Sequence, residues 1–372
     1  MVRGHDVGNG AATARVKPRA WRLPLLASAI LSLGWGIWLG LLRLGWALPL
    51  PWPDQLILHG PLMIGGFLGT LVGLERAIGT ARPWAYAAPA ASAAGAVLLV
   101  FGTAGTAGAL LITVASGIVT AVFIVIVRAQ PSLFAATMLA GSASWLIGNA
   151  LWIGGDAIFR VVFWWIAFLV LTIAGERLEL NRLLRPAGAV RAGFVAAVMV
   201  VVAGVCATGW APSAGVQLTG VGLAALCAWL AVNDIARRTI RQPGVTRYIA
   251  VSMLLAYCWL GIGAAVAIVT GAFDPGPAHD AILHAIFLGF ALSMVFGHAP
   301  IVLPAVTGLT LRYRATFYAP LLLLQVSMAL RLVGDLVEEL GRYRVWGGLL
   351  NAFALLMFLL NTASCARWRS AT

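Results

Sequence analysis

"LILHGPLMIGGFLGTLVGLERAIG" runs from Leu56 to Gly79. The stretch is apolar enough to cross a bilayer, yet it keeps His59 near one end and Glu75 and Arg76 near the other. Ionisable groups inside a membrane span are costly, and they mark functional sites by default. Its length and apolarity recur along the whole chain. Of 372 residues, 61% are hydrophobic and only 10% charged, far below the charged share of a soluble domain. The fold class read from this pattern is all-α, a polytopic transmembrane bundle of about 12 helices.

Apolar length and turn signals give twelve spans, with cores near 23–47, 55–78, 83–102, 105–128, 131–154, 158–178, 189–209, 213–236, 246–272, 279–306, 315–336 and 344–364. Residues 1–20 read as a basic cytoplasmic tail and 21–372 as one twelve-helix domain. The formal net charge of +13 is spread over short connections, so it sets topology and does not indicate nucleic-acid binding. Arg3, Arg15, Lys17, Arg19 and Arg22 lie in the tail. Alternate connections carry Arg76 and Arg82, Arg128, Arg177 to Arg191, Arg237 to Arg247, Arg312 and Arg314, and Arg367 and Arg369. The remaining connections carry Asp54, Asp156, Asp274, Asp280, Asp335, Glu338 and Glu339. This alternation implies an integral plasma (inner) membrane protein with both termini cytoplasmic. Trp21, Trp46, Trp52, Trp84, Trp164, Trp165 and Trp346 fall near span ends, as an interfacial belt does. The four cysteines show no metal or disulfide spacing and read as small apolar side chains.

His59 opens the second span and His284 the tenth. Both spans run the same way, so the two imidazoles share a depth near the outer face. Two such rings on different helices are placed to ligate one iron from opposite sides of a porphyrin. Gly60, Gly65, Gly66, Gly69 and Gly73, with Ala285, Gly289 and Ala291, either leave a slot for that ring or pack helices closely. Arg43 and Arg331 lie at the same level; each either pairs with a haem propionate or snorkels to the interface.

His298 lies 14 residues beyond His284, about 21 Å along an α-helix and about 40° around it. At its level stand Glu75 and, on the sixth span, Glu176. His298, Glu75 and Glu176 are read as a group able to bind a second metal at the inner face or relay protons; the alternative is interfacial pairing of Glu75–Arg76 and Glu176–Arg177. "VGLERAIG" and "IAGERLEL" echo each other, and the unusual polar residues fall on spans 2, 6 and 10, which suggests three quasi-equivalent blocks of four helices.

"LHGPLMIGGFLG" resembles the second helix of the haem–copper oxidase catalytic subunit, and "HAIFLGFALSMVFGHAPIVLPAVTG" resembles that family's tenth helix and its exit. The chain also resembles NnrS-like proteins, twelve-helix membrane proteins associated with haem, copper and the response to nitric oxide. The matched stretches cover about 50 residues. The resemblance implies an oxidase-subunit-I-like arrangement, a haem b cofactor, and His59 and His284 as its axial ligands. It departs from the oxidases where their copper site needs histidines: "FRVVFWWIAFLVLTIAGERLEL" on the sixth span has none, and neither has the seventh. A dioxygen-reducing binuclear centre is therefore not expected.

The function so implied is a haem-binding membrane protein that handles electrons or nitric oxide, as a haem-dependent oxidoreductase or a nitric oxide-response protein. Its partners would be the lipid bilayer, a respiratory electron donor and a small gaseous or small-molecule ligand. A second reading is a twelve-helix secondary transporter of a small solute, for which the fifth span offers Ser142, Ser144, Trp145 and Asn149. A third is an assembly partner of a respiratory complex.

Overall fold

The structure is a computed structural model that describes residues 20–102, 105–181 and 187–367. The tail residues from Arg3 to Arg19, His5, Arg182, Arg185 and Arg369 lie outside the described residues. Among the described residues, twelve helices are long and apolar enough to span a membrane: α1 Leu23–Arg43, α2 Pro53–Thr80, α3 Pro83–Val100, α4 Gly105–Ala129, α5 Leu133–Ile153, α6 Ile158–Asn181, α7 Gly188–Ala207, α8 Pro212–Asn233, α9 Gly244–Thr270, α10 Pro277–Thr307, α11 Ala315–Leu336 and α12 Glu338–Cys365. The chain is an integral membrane protein with an all-α bundle.

Local chemistry sets these ends. Prolines open α1, α2, α3, α8 and α10, where the first-turn N–H has no intrahelical partner to lose. The Ser132 hydroxyl accepts the Ala135 N–H to start α5. Gly308, at φ +77°, closes α10 in the left-handed region that favours glycine. The first span stops at Arg43, short of the expected residue 47. There Gly45 takes φ +91° and the Trp46 N–H turns back to the Leu41 carbonyl. A short antiparallel pairing of Thr310–Leu311 with Ala366–Arg367 ties the exit of α10 to the end of α12.

Sequential helices pack as antiparallel neighbours, and α1 touches α12. The centre is set by α2, α6 and α10. In the most apolar stretch of each, 56%, 72% and 56% of residues are buried, against 28–50% for the other nine spans. These are the helices singled out by their polar residues. At the arginine-rich end, Arg76 of α2 pairs with Glu176 of α6, and Arg177 of α6 meets His298 of α10.

α2 and α10 share a second feature. In each, an eight-residue π-helical stretch follows the histidine: Leu62–Gly69 after His59, and Ala285–Leu292 after His284. A π turn adds a residue to the turn and re-phases the side chains beyond it, and such turns recur at functional sites. The uniform-helix spacing expected between His284 and His298 therefore does not hold. In α2 the Gly65 carbonyl within this stretch accepts a bond from the Ser92 hydroxyl of α3 at 2.7 Å.

Candidate functional site

His59 and His284 face each other across the bundle. Their ring centres are 6.4 Å apart and their planes 21° from parallel. The His59 Nδ1–H donates to the Gly36 carbonyl of α1 at 2.7 Å, and the His284 Nδ1–H to the Asp280 carbonyl at 2.8 Å. A carbonyl only accepts, so each bond fixes the proton on Nδ1 and leaves Nε2 with its lone pair. Neither Nε2 has a hydrogen-bond partner among the described residues. Both rings line one cavity of about 680 Å³.

The cavity is walled by apolar side chains, among them Ile37, Ile64, Leu68, Phe287, Leu288 and Leu292. Three cations border it: Arg43, Arg331 and Arg344. Arg43 is exposed, whereas Arg331 is buried at 6% exposure. The Arg331 and Arg344 Nε atoms approach the buried Asp335 carboxylate at 3.7 and 3.8 Å, too long for hydrogen bonds. The Arg331 Nε has no hydrogen-bond partner among the described residues. His279 lines the cavity too; its Nδ1 lies 3.3 Å from the Ala272 carbonyl and its ring meets Phe163 edge-on.

All four residues expected to hold a cofactor, His59, His284, Arg43 and Arg331, thus line one space. A haem fits the donor set. With a metal–nitrogen bond of about 2 Å on each side and about 1.2 Å from nitrogen to ring centre, imidazoles facing one ion have centres about 6.4 Å apart. Two glycines of α1 leave space for the His59 imidazole and its neighbour Met63. A Cβ at Gly40 of α1 would stand 3.0 Å from His59 Cε1, and one at Gly36 would stand 2.7 Å from Met63 Sδ.

Of the two readings of the glycines, close packing describes five of them, while Gly60 lines the cavity. A Cβ at Gly65 would meet Ile112 of α4, one at Gly66 Ser32 and Ala96, one at Gly69 Trp145, one at Gly73 Pro89, and one at Gly289 Trp259. These positions pack helices together. Room for the His59 ring comes from Gly40 and room for Met63 from Gly36, which sequence reasoning missed although "GWGIWLG" (Gly34–Gly40) displays them. Asp335, four residues beyond Arg331 on the same helix, was readable as its partner. Arg344 comes from a different helix and carried no local signal.

The inner group is built differently from the expected metal site. Arg76 Nη2 lies between the two carboxylates, 2.9 Å from Glu75 and 2.6 Å from Glu176. His298 belongs to a separate network. Its Nδ1–H donates to the Met294 carbonyl, and its Nε2 accepts from Arg177 Nη1 at 3.2 Å. Arg177 Nε and the Tyr257 hydroxyl both donate to Asp234 Oδ2, at 2.9 and 2.7 Å. The lone pair that would bind a metal is therefore taken by a guanidinium, and a second guanidinium holds the carboxylates. Among the described residues no three His, Cys, Asp or Glu side chains stand where they could share an ion. The pairing alternative describes this end of the bundle for Glu75, while Glu176 pairs with Arg76 and not with its neighbour Arg177. Trp165 also departs from the interfacial belt: it is 1% exposed and donates its indole N–H to Asn149 Oδ1 at 3.0 Å.

No curated protein and no solved structure matches the chain. The family described as Domain of unknown function (DUF8744) matches residues 22–367, nearly the whole of it, and the chain belongs to that family.

Proposed function

We propose that the protein is an integral membrane haem-binding protein in which His59 and His284 hold one haem b iron from opposite sides. The carrying observation is the imidazole pair: ring centres 6.4 Å apart, nearly parallel, each tied at Nδ1 to a main-chain carbonyl. A bound haem supplies reversible one-electron chemistry. The chain's own residues supply the rest. The Gly36 and Asp280 carbonyls fix the tautomer and raise the basicity of each Nε2. The apolar wall excludes water. Arg43 and Arg331, with Arg344 beside them, offer cations to the propionates.

With a histidine on each side, a bound haem would suit electron transfer better than dioxygen reduction; a response to nitric oxide is the reading that the resemblance to NnrS-like proteins supports. A respiratory donor is the partner this reading calls for. The arginine-rich connections face the cytoplasm of an inner membrane, with both termini on that side. The test is an optical spectrum of the purified protein, oxidised and reduced. A Soret band with reduced-state α and β bands supports the reading. A colourless protein that binds no added haemin favours the transporter.

A further inference from the structure

Trp145 and Asn149 of α5 are buried and face neither the cavity nor the lipid. They enter a seam between α2, α5 and α6 whose levels can be read from its contacts. Near the cavity, Trp165 of α6 lies against Gly148 of α5, and the position of a Cβ on Gly60 of α2 is 3.5 Å from the same indole. Below it, Trp145 of α5 stacks on Phe168 of α6, ring centres 4.6 Å apart, and lies against Gly69 of α2. Lower still, Thr172 of α6 faces Gly141. At the far end Arg76 of α2 reaches both Glu176 and Met138.

Each level carries a polar group with no hydrogen-bond partner among the described residues: Asn149 Nδ2, Trp145 Nε1, Thr172 Oγ1 and Arg76 Nε. Asn149 and Trp145 are wholly buried and Thr172 is 2% exposed. Asn149 cannot be relieved by turning its amide over, because Oδ1 is needed to accept the Trp165 N–H. Thr172 departs from the common habit of this bundle. Thr113, Thr120, Thr137, Thr219, Thr270 and Thr307 each return their hydroxyl to the carbonyl four residues back. Thr172 does not. Buried polar groups left alone are costly, and several in one seam point to a shared polar ligand. Water is the ligand small enough for such a seam, and it bonds donors and acceptors alike.

We infer that the α2–α5–α6 seam holds a file of buried waters running from the floor of the histidine cavity, at Gly60 and Trp152, to the Arg76–Glu176 pair. The file makes the interior of the seam reachable by solvent protons. It does not depend on what occupies the cavity.

Two measurements on the full chain in nanodiscs test it. In 15N-tryptophan-labelled protein moved into D2O, the Trp145 indole N–H exchanges at least tenfold faster than that of Trp165, which is equally buried but bonded to Asn149. Each signal is assigned by its loss in Trp145→Phe or Trp165→Phe. A Trp145 signal that persists as long as that of Trp165 overturns the inference. Thr172→Val gives an independent sign. In a hydrated seam the substitution removes a partner from a water and lowers the thermal midpoint by a few degrees. In a dry seam it replaces a stranded hydroxyl by a methyl, so an unchanged or higher midpoint overturns the inference.

Discussion

His59 on α2 and His284 on α10 present nearly parallel imidazoles 6.4 Å apart, and neither ring is held by its own side chain alone. His59 is fixed from a different helix through Gly36, and His284 from the preceding turn of its own helix through Asp280. Anchoring both Nδ1 atoms orients the rings before any ligand arrives, which is how a site avoids the ordering cost of binding.

The anchoring helix gives the first prediction. A Cβ at Gly40 would lie 3.0 Å from His59 Cε1, whereas one at Gly34 would meet nothing within 4 Å. Gly40→Ala is expected to cost about 1–3 kcal/mol of stability through overpacking and to lower the haem bound per chain. Gly34→Ala should leave both unchanged. Pyridine-haemochrome content and thermal unfolding of the two variants check this.

The buried Arg331 gives the second. A cation beside a haem favours its less positive, reduced form. Arg331→Gln should therefore lower the midpoint potential, by roughly tens of millivolts, where 59 mV is a factor of ten for one electron. Arg43→Gln should have a smaller effect, because Arg43 is exposed and water screens its charge. Spectroelectrochemical titration reads both, and a potential that rises in Arg331→Gln opposes the assignment.

The inner networks differ in burial and so in consequence. Arg177 and Asp234 are 4% and 0% exposed in their side chains. Arg177→Ala strands a buried carboxylate and should cost about 3–5 kcal/mol. Glu75, 38% exposed, shares Arg76 with Glu176. Glu75→Gln should cost less than about 1 kcal/mol. Thermal unfolding in detergent distinguishes them, and equal losses would contradict the separation into two networks.

The helix count and most helix ends were legible because they depend on apolar length and on prolines and glycines at turns. The histidine pair was legible because two helices of the same direction bring their first turns to one depth. Other features rest on relations between helices. The row Gly65, Gly69 and Gly73 displays small residues but not the Ile112, Trp145 and Pro89 that fill the space beside them. The depth shared by His298, Glu75 and Glu176 was readable. That Arg76 and Arg177 would divide them into two networks was not, since an arginine beside a glutamate reads the same whether it pairs with its neighbour or reaches another helix. The π stretches have no composition of their own, so helical arithmetic across them failed.

Topology has its own test. A reporter inserted between Asp274 and Asp280 should report from the outside, and one after Arg241 from the cytoplasm. A cytoplasmic signal at Asp274–Asp280 would invert the bundle and move the histidine cavity to the inner face.

The central claim is that His59 and His284 ligate one iron, and the most direct measurement is the reduced-minus-oxidised optical spectrum of the purified protein beside His59→Ala and His284→Ala. The account predicts a low-spin haem b spectrum in the unaltered chain, its loss or conversion to a high-spin form in each variant, and unchanged membrane insertion in all three. A spectrum that survives both substitutions, or an unaltered chain that takes up no haem, contradicts it.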